Sequence, residues 1–312
     1  MPLPNRPDPT LHQLRKMTAA HKQMSDGQSH LKRTVTLRDL PSWKHYNVHI
    51  LTGYRRPQDW RGCVYSIYAY VHNETGNIHT HLWAGVLFLY LLITVNPSQL
   101  TSGRTTWLDS TVFSIFFASA TFCLLSSTTY HTSLAHQSRV VCSRCHALDY
   151  VGIIVLNLGS FCPLLYYGFF CEPETLRLYV SVVLLLNAAG VFVIVDPEYG
   201  KPTHIALRTA IFLGLGNFAI IPVLHWLMVH GPATTLTGMG VKWFILSGFF
   251  YIGGALLYAN RIPERFNPGA YDYLFHSHQI FHICVALGAY LHYVFISVAL
   301  DYAYTRSKCA IT

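Results

Sequence analysis

Phe275-His276-Ser277-His278-Gln279-Ile280-Phe281-His282 opens the last long apolar run of the chain, which continues to about Leu300. A helix of that length and hydropathy crosses about 30 Å of hydrocarbon, so the stretch reads as the mouth of a membrane span. His278 and His282 stand four residues apart, which stacks them on one face of such a helix. Two imidazoles in that relation can reach one metal ion at about 2 Å. The competing reading is a pair of satisfied core histidines, because 18 histidines in the chain leave room for pairing by chance. The other apolar segments have to decide between them.

Of the 312 residues, 52% are hydrophobic and only 12% charged. That is too apolar for an ordinary soluble domain and points to a polytopic membrane protein. Phe, Tyr and Trp make up 14%, as suits rings placed at membrane–water boundaries. The net charge of +8 is unevenly spread: eleven of the 22 Lys and Arg lie before residue 77. A basic juxtamembrane tail facing anionic lipid explains this better than a nucleic-acid surface. Residues 1–76 hold no apolar run long enough for a secretory signal. They read as a cytoplasmic tail, largely disordered through about Thr34, with an aromatic juxtamembrane part from Leu40 to Trp60 lying on the membrane surface. Eight cysteines, several within apolar segments, do not form a small secreted disulfide framework.

Seven apolar segments follow, each long enough to span a bilayer. They run from about Ile78 to Val95, Trp107 to Tyr130, Leu148 to Phe170, Leu176 to Val195, His204 to Val229, Val241 to Tyr258 and Phe275 to Leu300. Pro222 predicts a kink in the fifth. The fold class is therefore an all-α membrane protein, with residues 77–301 as a seven-helix domain and 302–312 as a short C-terminal tail. If the N-terminus is cytoplasmic, that side holds 17 of the basic residues and the opposite side 5. The positive-inside rule then gives N-in, with the C-terminus across the membrane. Without the tail the count falls to 6 against 5, so the tail carries the inference. A seven-span chain with this orientation is inverted relative to G-protein-coupled receptors.

Ionisable groups inside a membrane are costly and mark functional sites. The second segment ends in Ser127-Thr128-Thr129-Tyr130-His131, which places Ser127 and His131 on one face. The third begins with Asp149, and the seventh with His278 and His282. By parity, the end of the second and the starts of the third and seventh lie on the same side of the membrane. Three imidazoles at one level, His131, His278 and His282, make a plausible zinc site near the cytoplasmic side, with the fourth position open to water. Asp149 would take a proton from that water or orient it, and Ser127 would hydrogen-bond it. The alternative is that these groups only bond packed helices together.

Asn73-Glu74-Thr75-Gly76-Asn77-Ile78 resembles the motif before the first span in the progestin and adipoQ receptor family. The serine four residues before His131 fits the same family, as does Leu148-Asp149-Tyr150-Val151-Gly152-Ile153. Further matches are Pro222 to Trp226 with its His-Trp pair, Ile262-Pro263-Glu264-Arg265-Phe266, and Ser277-His278-Gln279-Ile280-Phe281-His282. Together they cover about residues 65–295. The family includes adiponectin receptors and the haemolysin-III-like proteins, with seven helices and a cytoplasmic N-terminus. The resemblance implies zinc (Zn2+) held by His131, His278 and His282, with Asp149 and Ser127 beside its water. It also implies a ceramidase-type activity.

Other signals carry less. Cys142-Ser143-Arg144-Cys145-His146 has the c-type haem spacing, but in a predicted cytoplasmic loop it reads as two free thiols. His79 and His81 face different sides of a helix and read as interfacial. His225 and His230 fall at the far end of the fifth segment, away from the site. Glu74 could cap the first helix or face the cytoplasmic cavity, and capping is the favoured reading. Two functions remain: an amide-lipid hydrolase, and a receptor or regulator with structural zinc. A transporter is disfavoured by the lack of repeated halves. The expected partners are membrane lipids, with a ceramide-like substrate, and an extracellular ligand and cytoplasmic adaptor the sequence does not identify; nucleic acid is not expected. The expected location is the plasma membrane or an endomembrane such as the endoplasmic reticulum or Golgi.

Overall fold

A computed structural model of the chain describes residues 33–101, 105–194, 196 and 202–305. Residues 1–32 of the expected N-terminal tail and 306–312 of the expected C-terminal one lie outside them. The described residues begin with two short strands, β1 (Thr34–Val35) and β2 (Tyr54–Arg55), paired antiparallel with Thr34 opposite Arg55. A short helix α1 (Trp60–Ala69) follows, its first turn held by Asp59 accepting from the Gly62 N–H.

Then come α2 (Thr75–Thr94), α3 (Trp107–Ser133), α4 (Arg139–Phe169) and α5 (Pro173–Ile194). The chain continues through α6 (Ile205–Asn217), α7 (Ile220–His230), α8 (Val241–Ala259) and α9 (Ser277–Thr305). With α6 and α7 taken as one broken span, seven of these segments are long and apolar enough to cross a membrane.

The bundle is built around α3. More than half of its apolar stretch is buried (56%), against 17% for α5 and for α8. It packs on α2 and α4, while α9 packs on α8, α2 and α4. The core between them is aromatic, with Phe88, Phe113, Phe116, Phe117 and Phe295 inaccessible. Glycines let α3 and α4 approach closely: a Cβ on Gly159 would lie 1.8 Å from Ser119 Oγ, and one on Gly152 would lie 3.0 Å from the Cys123 backbone.

Two features differ from the sequence reading, and a third, the kink expected at Pro222, is present. α4 starts at Arg139 rather than Leu148, so Cys142–His146 is helical and not a loop. Arg139, Ser143 and Arg144 lower the hydropathy of those turns without lowering their helicity. Cys142 and Cys145 are free thiols, as expected. The fifth span breaks at Phe218–Ala219 because Pro222 has no N–H to give the Phe218 carbonyl. Ile221 N–H bonds that carbonyl instead, in a tighter turn. Finally, the Leu40–Trp60 stretch, expected on the membrane surface, folds onto the end of the bundle. Its two buried cations have carbonyls to satisfy there. Lys44 Nζ donates to Leu134 O and His136 O, each at 2.9 Å, and Arg55 donates to His131 O and Thr132 O. Cations at the carbonyl end of a helix also complement its dipole.

Candidate metal centre

α3 ends and α9 begins at the same end of the bundle, as parity requires, and this brings His131 against His278 and His282. One ligand atom from each ring lies within 4.8 Å of the others. The closest pair is His131 Nε2 and His278 Nε2, 3.0 Å apart. Small rotations of the rings would place all three about 2 Å from one ion. His131 and His282 are buried almost completely, and His278 is half-buried.

Hydrogen bonds fix which nitrogens are free. His282 Nδ1 lies 3.0 Å from the Asn77 carbonyl. A carbonyl only accepts, so that nitrogen carries the proton and Nε2 keeps its lone pair. His131 Nδ1 donates to Glu74 Oε2 at 2.7 Å, which leaves its Nε2 free in the same way. Ligating histidines are oriented like this in metal sites, the second nitrogen bonded to a carboxylate or a carbonyl. The donor set and its tautomers therefore fit a borderline-soft divalent ion such as zinc.

Glu74 is the main correction to the sequence reading. It occupies the position before α2, but its side chain makes no cap bond. Its carboxylate instead accepts from His131 and from Asn77 Nδ2 at 2.6 Å. Burial alone would raise the Glu74 carboxyl; the bonds from His131 and Asn77 outweigh it and hold the carboxyl below the usual range. An acidic residue before a helix reads as a cap unless a second helix supplies it with a partner, and here α3 does.

His81 is the second residue not anticipated. It is buried and stacks on His282, ring centroids 3.6 Å apart and planes within 5°. His79 turns the other way, to the Ile67 carbonyl. Their opposite facing was legible from spacing; the burial of His81 was not.

Ser127 is buried one turn before His131 on the same face of α3. Asp149 lies ten residues inside α4 rather than at its start. Its carboxylate pairs with the Ser127 side chain. His225 bonds Tyr179 and His230 packs on Trp226, at the opposite end of the bundle.

The starts of α2 and α9 are held rigidly. Glu264, fully buried, accepts from the Ser277 N–H and hydroxyl and from Asn47 Nδ2. Asp272 accepts from the Leu51 and Thr52 N–H groups and the Thr52 hydroxyl. Gln279 bridges the Phe275 N–H and the Tyr273 carbonyl, and a Cβ on Gly76 would strike it at 2.5 Å. The N-terminal segment, the loop before α9 and the α2 start are thus one hydrogen-bonded cap over the histidines.

Residues 69–293 match the family described as haemolysin-III related. Progestin and adipoQ receptor-like protein 1 of Caenorhabditis elegans is 36% identical over 87% of this chain and 62% of its own length. The adiponectin receptor protein of Drosophila melanogaster is 37% identical over 88% of this chain and 61% of its own. The ADIPOR-like receptor IZH2 of Saccharomyces cerevisiae is 30% identical over 89% of this chain and 87% of its own. The chain thus spans about three-fifths of the first two relatives and most of the third. With its seven apolar helices, the chain is an integral, multi-pass membrane protein that belongs to the haemolysin-III-related family, alongside progestin and adipoQ receptor-like proteins.

Proposed function

We propose that His131, His278 and His282 hold a zinc ion, and that the centre hydrolyses the amide bond of an N-acyl sphingoid lipid of the ceramide type. The products would be a fatty acid and the sphingoid base, and the protein would act through them in lipid and zinc homeostasis signalling. The observation that carries this reading is the convergence of three ring nitrogens, two with their tautomers fixed, beside the Ser127–Asp149 pair.

Zinc bound by three neutral nitrogens lowers the pKa of a water towards about 7 and polarises a carbonyl. Asp149 takes the proton as water attacks the amide carbon, and returns it to the departing nitrogen as the C–N bond breaks. Ser127 orients the Asp149 carboxylate. An open, largely apolar groove of about 380 Å³ between α2, α3 and α4 supports access from the bilayer. Leu92, Phe122, Leu125 and Leu148 line it, and Ser126 and Leu148 on its wall are the chain neighbours of Ser127 and Asp149.

The relatives' names favour a second reading, a receptor in which the ion ties α3 to α9 and the output is binding. Metal analysis of detergent-purified protein, followed by a ceramide hydrolysis assay, separates the two. The hydrolase reading expects about one zinc per chain, lost in His278→Ala/His282→Ala, and turnover lost with it. Zinc present with no turnover on any N-acyl sphingoid lipid would leave the receptor. Absence of zinc from wild type purified without chelators would sink both.

A further inference from the structure

We infer that Glu74 is a positioning residue of the metal centre, aiming the His131 imidazole and setting how tightly the site binds its ion; this rests on the zinc reading above. The grip on His131 comes from two directions. Arg55, buried on β2, donates to the carbonyls of His131 and Thr132 and to Ser66 Oγ. It fixes the backbone at the end of α3, so the freedom left to the ligand is rotation of its own ring. Glu74 removes that freedom with the 2.7 Å bond to Nδ1.

Glu74 is itself held. Asn77, one turn on, donates to the same oxygen at 2.6 Å, and the backbone of residues 72–75 is tied by the His72 N–H to Thr75 Oγ1 and the Glu74 N–H to His72 Nδ1. A cavity of about 30 Å³ lies beside it, lined by Lys44, Tyr46, Tyr54, Arg55 and Glu74. A carboxylate so placed strengthens the ligand nitrogen opposite it, and losing such a partner weakens metal binding about 10–100-fold. Asn77 serves two ligands at once: its side chain holds Glu74, and its carbonyl holds His282.

The test is chelator competition for zinc with the full chain in detergent, comparing wild type, His131→Ala, Glu74→Ala and Glu74→Gln. Melting temperatures are taken with the metal stripped. Glu74→Ala should bind zinc 10–100-fold more weakly. Glu74→Gln should recover part of that loss, since its carbonyl oxygen still accepts from Nδ1–H without the charge. Both variants should melt, metal-free, within a few degrees of the metal-free wild type. Equal affinity in wild type and Glu74→Ala, with His131→Ala losing zinc, would overturn this inference and leave the zinc site standing. A loss of affinity matched by collapse of the metal-free protein, and unrelieved in Glu74→Gln, would also overturn it, as a structural effect. Wild type without measurable zinc affinity would overturn the site and the inference together.

Discussion

Glu264 shows what a single buried carboxylate does for this centre. It has no cation within ion-pair distance among the described residues and is satisfied by Ser277 and Asn47 alone. By holding the first N–H of α9 it sets where His278 stands, one residue later. Burial pushes the Glu264 carboxyl up, but the hydrogen bonds from Ser277, its own backbone and Asn47 together outweigh it, so its pKa in the folded chain lies below the usual 4.5. A depressed folded pKa means that the stabilisation is complete above the unfolded value and is lost as pH falls through the folded one. Glu264→Gln should therefore cost about 1–3 kcal/mol at neutral pH, because an amide NH2 would face the Ser277 donor. The gap in melting temperature between variant and wild type should close as pH drops below 4.5. A gap that persists unchanged into acid would show that Glu264 is not the ionised group holding α9. The three histidines were legible in the sequence because spacing and span parity both converge on them. Glu74, His81, Arg55 and Glu264 were not. Their roles depend on which distant element meets each one, and no local pattern encodes that.

At the scale of elements, the seam between α3 and α4 depends on residues too small to stand out. Gly159 meets Ser119 so closely that an added methyl would need the serine to leave. Gly159→Ala should destabilise the protein by about 1–3 kcal/mol through overpacking. Ser119→Gly in the same chain should return most of it, because the next contact of the new Cβ would be the Ile115 carbonyl at 3.4 Å. Equal melting of the single and double variants would show that the seam tolerates a methyl by other means. Helix count and rough limits were legible from hydropathy, which responds to the bilayer. The first turns of α4 were not, because they protrude past the apolar layer as polar helix. The break between α6 and α7 was, because the missing N–H of Pro222 acts locally.

The whole molecule must sit one way in its membrane, and two kinds of chemistry bear on which. The basic-residue count favours a cytoplasmic N-terminus, yet almost all of its weight comes from the tail. Cysteine chemistry is independent of that count. Cys142 and Cys145, in the first turns of α4, are free, whereas Cys171, just past its other end, is disulfide-bonded. Thiols persist in the reducing cytosol and disulfides in oxidising compartments. The N-in reading expects the start of α4, with the end of α3 and the starts of α2 and α9, on the cytosolic side, and the histidine cluster nearer that side. We expect an epitope joined ahead of Met1 to be digested by protease in sealed, cytosol-side-out vesicles, and one after Thr312 to be protected. Maleimide should reach Cys171 only after reduction. Protection of the N-terminal epitope with digestion of the C-terminal one would invert the molecule. The histidine cluster would then open to the far side of the membrane, and the buried cations Lys44 and Arg55 would break the positive-inside rule beside it.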